Sequence, residues 1–123
     1  MRIPYVVGLR VTLSASSEGS VQFQNSANQS FEIHTIMQRS TDTFDIIDFS
    51  DNASQQYSPA SNSNPVDGSI FPDSETDTDS PRELPLPLTL RGQDIIKFTL
   101  LDTSAASNVV DIMLMGILDT QKG

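Results

Sequence analysis

The chain has 123 residues, with seven Lys and Arg against sixteen Asp and Glu, a single His and no Cys. The length suits one domain with a core of its own, and without Cys no disulfide or thiolate metal site can form. A net charge of −9 repels nucleic-acid phosphates and anionic membranes, so neither is an expected partner; the charge keeps the chain soluble or matches a basic surface.

The first stretch, MRIPYVVGLRVTLSAS, has no continuous apolar segment, because Pro4, Gly8 and Arg10 interrupt it. It lacks the apolar core of an export signal. The longest apolar run, IMLMGIL at 112–118, is far short of the roughly 20 residues needed to span a bilayer. The chain therefore reads as soluble and unexported, and the glycosylation-like triplets at Asn28 and Asn52 read as chance. In VVGLRVTL, Val7, Leu9, Val11 and Leu13 alternate with Gly8, Arg10 and Thr12, which predicts a half-buried strand. SASSEGS breaks it. Val21 and Phe23 alternate with Gln22 and Gln24 as a short second strand, and NSANQ makes a turn.

A third strand starts at Phe31, with Phe31 and Ile33 on one face. The adjacent Ile36 and Met37 break the alternation, which predicts a bulge or burial on both sides. RSTDT turns the chain, and FDIIDF at 44–49 is a fourth strand, apolar on both faces. Two loop insertions follow, at about 50–65 and 72–83. Between them Val66, Ile70 and Phe71 pin the chain to the body. LPLPLTL is extended, and its prolines place it at a sheet edge or strand entrance. Arg91-Gly92-Gln93 is a tight turn, with Gly92 as its permissive residue. Ile96, Phe98 and Leu100 define another strand, LDTSAASN a turn, and VVDIMLMGIL the last and longest strand. Its Val110, Ile112 and Leu114 share one face. About eight strands without a helix predict an all-β, single-domain antiparallel sandwich of jelly-roll or Greek-key type over 1–123.

The acidic run Asp73, Glu75, Asp77, Asp79 and Glu83 is the first candidate site. Calcium takes about six to eight oxygens, often from alternating carboxylates, but the run lacks the Gly and spacing of an EF-hand loop. A solvated loop in which water and salt screen the repulsion is the expected state, so no metal or cofactor is expected. His34 stands without a recognisable nucleophile and acid. No catalytic constellation is expected, and a half-exposed strand residue or subunit contact is the reading. Arg91-Gly92 lacks the rest of any phosphate-binding loop. Val109, Met113 and Met115 lie on the second face of the last strand, which would be polar if solvated. They are the candidate subunit interface, with coverage by the chain's own loops as the alternative. A carbohydrate- or receptor-binding module, including a tail-associated adhesion subunit, is the rival function. Its aromatic platform would have to come from Tyr5 or Tyr57, for there is no Trp.

Two segments, FEIHTIMQRSTDTFDIIDFSD and LPLPLTLRGQDIIKFTLLDTSAASNVVDIMLMG, resemble small all-β structural proteins of tailed bacteriophages. The matching positions are Phe31, Ile33, Ile36, Arg39, Ser40, Thr41, Phe44, Pro87, Leu90, Arg91, Gly92, Asp102, Thr103, Ser104, Leu114 and Gly116. They cover roughly half the chain. Asp42 departs from the pattern, which has Gly in that turn. The resemblance implies a non-enzymatic virion protein, assembled in the host cytoplasm. It implies above all a capsid decoration (cement) protein that binds the major capsid protein or neighbouring virion subunits. It also implies a homo-oligomer, with a trimer favoured on a shell with local threefold axes.

Overall fold

The structure, a computed structural model, describes residues 1–51, 65–71, 84 and 86–120. Eight strands run through them: β1 (Arg2–Leu13), β2 (Glu18–Gln24), β3 (Ser30–Ser40), β4 (Phe44–Asp51), β5 (Val66–Asp67), β6 (Leu88–Leu90), β7 (Ile95–Asp102) and β8 (Asn108–Asp119). A 3-10 turn, Gly68–Ile70, follows β5, and no α-helix occurs among the described residues. The acidic run at 73–83 and Tyr57 lie outside the described residues.

The strands form two four-stranded antiparallel sheets, ordered β1-β8-β3-β6 and β2-β7-β4-β5. The pairing has a simple rule. β1 pairs with β8, β2 with β7, β3 with β6 and β4 with β5. The chain is a long hairpin folded over at β4 and β5 and then rolled up. The β3–β8 and β4–β7 pairings close each sheet. This is the eight-stranded jelly roll, and the expected all-β sandwich is the fold the chain adopts.

Alternation explains the faces. Along β1 every second residue from Ile3 to Leu13 turns inward, and the others are exposed. Pro4 sits within β1 because β1 is an edge strand, where a missing N–H costs no ladder bond. Between the sheets Phe98 is fully buried, stacked on Phe49 at 4.6 Å and met edge-on by Phe71 at 6.3 Å. Such ring pairs add about 0.5–1.5 kcal/mol beyond their burial. The expected pinning of the chain around 66–71 therefore falls to Phe71 and to Val66, which pairs with Ile46. Ile70 is 57% exposed and pins nothing.

Two bulges change the phase. In β3 the register slips between Ile33 and Thr35, leaving His34 as the extra residue. Before it Phe31 and Ile33 face the core; after it Ile36, Gln38 and Ser40 do, opposite Leu114, Ile112 and Val110. In β4 the slip falls between Ile46 and Asp48. Ile46 and Ile47 are buried side by side for that reason, not because the strand is covered on both faces.

The turn after β6 differs from expectation in one detail. Asp94 N–H donates to the Arg91 carbonyl at 3.0 Å, but the residue in the left-handed region is Gln93, with φ 68°, and not Gly92. The turn stays closed because Asp94 accepts from the Arg91 N–H at 2.9 Å and Gln93 N–H donates to Asn25 O at 3.0 Å. Among the described residues of LPLPLTL, Leu88–Leu90 joins a sheet, and Leu86 is 76% exposed.

Candidate functional site

Three places carry the residues that the sequence singles out. The first is the corner where the 41–43 and 103–107 turns meet. Asn108, fully buried, donates to the Thr43 carbonyl at 2.8 Å and to Asp102 Oδ1 at 3.2 Å. Its Oδ1 accepts from the Thr41 hydroxyl and the Asp42 N–H, each at 3.1 Å. Asp102, 2% exposed, accepts from the Ser104 hydroxyl at 2.5 Å, the Ser104 N–H at 3.1 Å and the Ser16 N–H at 2.8 Å. The Ser104 hydroxyl bond first, then the Ser16 and Ser104 N–H bonds and the Asn108 amide, hold the Asp102 carboxyl far below its ordinary range against the opposing effect of burial. Thr41, Asp102 and Ser104 thus meet in one network whose product is a fixed corner. Asp42 needs no left-handed backbone there; its carboxylate accepts from the Thr43 N–H at 2.9 Å.

The second place is the outer face of the β1-β8-β3-β6 sheet. Val109, Met113 and Met115 lie on it, half-buried. The register sets Met113 between Gly8 and Met37, and Met115 between Val6 and Thr35. Ile117, half-buried, continues the row beside Pro4. Val6 is 62% exposed. The apolar band therefore consists of Pro4, Val6, Met37, Met113, Met115 and Ile117, with Met37 only 6% exposed. Val109 is cut off from it by the ion pair between Arg10 and Asp111, at 2.7 and 3.1 Å. Val6 and Ile117 were legible as candidates, since Pro4, Val6 and Gly8 form an apolar row on the strand face opposite Val7 and Leu9.

Charge sharpens the contrast between the two outer faces. The banded face carries Arg2, Arg10 and Arg39 with Glu32, Asp111 and Asp119. The opposite outer face carries Glu18, Asp45, Asp48 and Asp67 against Lys97. Asp45 stands directly opposite Asp67, and desolvation first, then the Asp67 charge, raise its pKa. The negative excess of the described sheets thus sits away from the apolar band. His34 lies at the edge of that band, with Nε2 2.6 Å from Glu32 Oε1. It has a carboxylate beside it but no nucleophile in hydrogen-bond contact among the described residues.

The third place was not foreseen. A cavity of about 200 Å³ opens between β3 and the β4–β5 pair, lined by Gln38, Ser40, Asp42, Thr43, Phe44 and Asp67. Gln38 is 7% exposed. Its Oε1 accepts a long bond from the Ser40 hydroxyl at 3.4 Å, and its Nε2 meets no acceptor among the described residues. A buried donor left unmet costs about 1–3 kcal/mol.

Tyr5 is half-buried and packs edge-on against Phe31 at 5.4 Å, so its ring is part of the core wall and does not form a flat platform. Among the described residues no group of three His, Asp or Glu is gathered closely enough to hold a metal ion. No protein-family model, curated protein or solved structure matches the chain.

Proposed function

We propose that the chain is a structural subunit of a tailed-bacteriophage virion, a decoration protein that binds and bridges neighbouring capsid subunits. The observation that carries this reading is the apolar band of Val6, Met113, Met115 and Ile117 on an outer sheet face. A solvated outer face of an antiparallel sheet is polar, and a sizeable apolar patch rimmed by charge marks a protein contact. Here Arg10 and Asp111 rim one end, and Arg2 and Asp119 the other.

The resemblance supports the same reading through the fold. Its positions include residues that build the jelly roll: Thr41, Asp102 and Ser104 in the buried corner, Gly116 against the β3 bulge, and Phe31, Ile33 and Leu114 in the core. The chain acts by mass action and not by chemistry. A protein that binds only the assembled shell stabilises it, and several symmetric contacts multiply the effect. The band seats a second copy, and a closed trimer is the arrangement that suits a local threefold axis.

The test is composition. Particles purified from the phage that encodes this chain should contain its peptides at a fixed ratio to the major capsid protein. Their absence from intact particles would overturn the reading.

A further inference from the structure

A glycine inside a strand packs nothing and weakens it, so it marks a bulge, a corner or a place where another chain comes close. Gly8 of β1 is neither of the first two, because β1 pairs with β8 without a register shift from Arg2 to Leu13. Its backbone does not require glycine either, since no described glycine has a positive φ. At Gly19, Gly68 and Gly116 a Cβ would strike Leu13, Phe44 and the Glu32 carbonyl. At Gly8 it would meet nothing within 4 Å among the described residues. Gly8 is exposed, so the gap left by its missing side chain is open. It opens on the apolar band, beside Met113 and between Val6 and Arg10.

Charge decides which partner can come close. The banded face balances Arg2, Arg10 and Arg39 against Glu32, Asp111 and Asp119, while the opposite outer face is acidic. In a chain of net charge −9, the balanced face is the one that two copies can bring together without like-charge repulsion. At the rim of the gap Arg10 is bound to both carboxylate oxygens of Asp111, so the gap suits an apolar group and not a counter-ion. Val6, 62% exposed, is the large apolar side chain that stands out of the band. We propose that Val6 of one copy enters the gap at Gly8 of the next. Three such head-to-tail contacts close a trimer. The inference rests on the reading of the band as an assembly surface and adds the contact through which the copies fit.

The experiment compares the full-length parent with Gly8→Val, whose side chain fills the gap, by light scattering after size exclusion over a range of concentrations. The expected result is association weakened about tenfold or more. The fold is checked in the Met115→Glu background, where Gly8→Val should leave the urea midpoint unchanged or raise it, because valine suits a strand. A midpoint lowered there would trace the loss to the fold and overturn the proposal. Gly8→Val associating as the parent does, beside a monomeric Met115→Glu, would keep the band and overturn the contact at Gly8. A parent monomeric at every concentration would overturn both. The chain has no Cys, so Val6→Cys and Gly8→Cys variants, refolded together and oxidised, identify the occupant. Disulfides between unlike variants are the expected result, and disulfides only between like variants would overturn the place given to Val6.

Discussion

Gly116 of β8 lies against the Glu32 carbonyl of β3 so closely that a Cβ on Gly116 would collide with that oxygen. The contact sits at the β3 bulge, where the backbone swings toward β8 to absorb His34. Only a residue without a side chain permits it. Gly116→Ala should therefore cost about 3 kcal/mol or more, since a fixed backbone cannot yield as a side chain can. Gly8 is the contrast, with nothing within 4 Å of its would-be Cβ. Gly8→Ala should be neutral or add up to about 0.5–1 kcal/mol, the usual gain over Gly in a strand. Urea unfolding midpoints of the two variants check both.

The buried corner makes an acid-sensitive contribution. Asp102 has a folded-state pKa well below its ordinary value of 3.8. Its stabilisation is present in full above the unfolded carboxylate range and is lost as pH falls below about 4. Asp102→Asn should lower stability at neutral pH and flatten the loss below pH about 4. Melting temperatures of both proteins from neutral to acid pH measure this. Asn108→Ala strands the Thr41 hydroxyl, the Asp42 N–H and the Thr43 carbonyl, and should cost about 3 kcal/mol.

The Asp45 and Asp67 pair has the opposite sign. The raised pKa of Asp45 means that its charge is disfavoured in the folded state. Asp45→Asn should add about 0.2–1 kcal/mol at neutral pH, the range for like charges placed directly opposite. The gain should vanish once the pH is low enough to protonate Asp45 in the parent. Denaturation at two pH values separates this from a packing effect.

In the turn after β6, Gln93 holds φ 68°. A left-handed non-Gly residue is strained by about 1–2 kcal/mol, part of which Gly returns as unfolded-state entropy. Gln93→Gly should add about 0.5 kcal/mol, measurable as a rise in the unfolding midpoint.

What was legible in the sequence follows from period. Val7, Leu9, Val11 and Leu13 announce an inward row, as do Ile96, Phe98 and Leu100, because a strand alternates its faces. Ile36 beside Met37 left a bulge and burial on both sides open, and both occur: the bulge at His34, and Met37 6% exposed on the outer face. Ile46 beside Ile47 did not announce the β4 bulge, since two adjacent apolar residues also fit a strand buried on both sides. Periodicity assigns faces and not partners, so the pairing of β1 with β8 was open. Gln38 was hidden for a related reason: its inward orientation depends on the one-residue phase change at His34, and a Gln in a strand otherwise reads as solvated. Of the three interface candidates, Met113 and Met115 share one apolar band, while Val109 is separated because Arg10 reaches across from β1 to Asp111.

The central claim is that the apolar band is an assembly surface. The native mass of the purified protein and of its Met115→Glu variant, by light scattering after size exclusion, tests it most directly. The account predicts a closed oligomer, a trimer, for the parent and a folded monomer for the variant. A parent that stays monomeric at every concentration, or an oligomer indifferent to Met115→Glu, would contradict it.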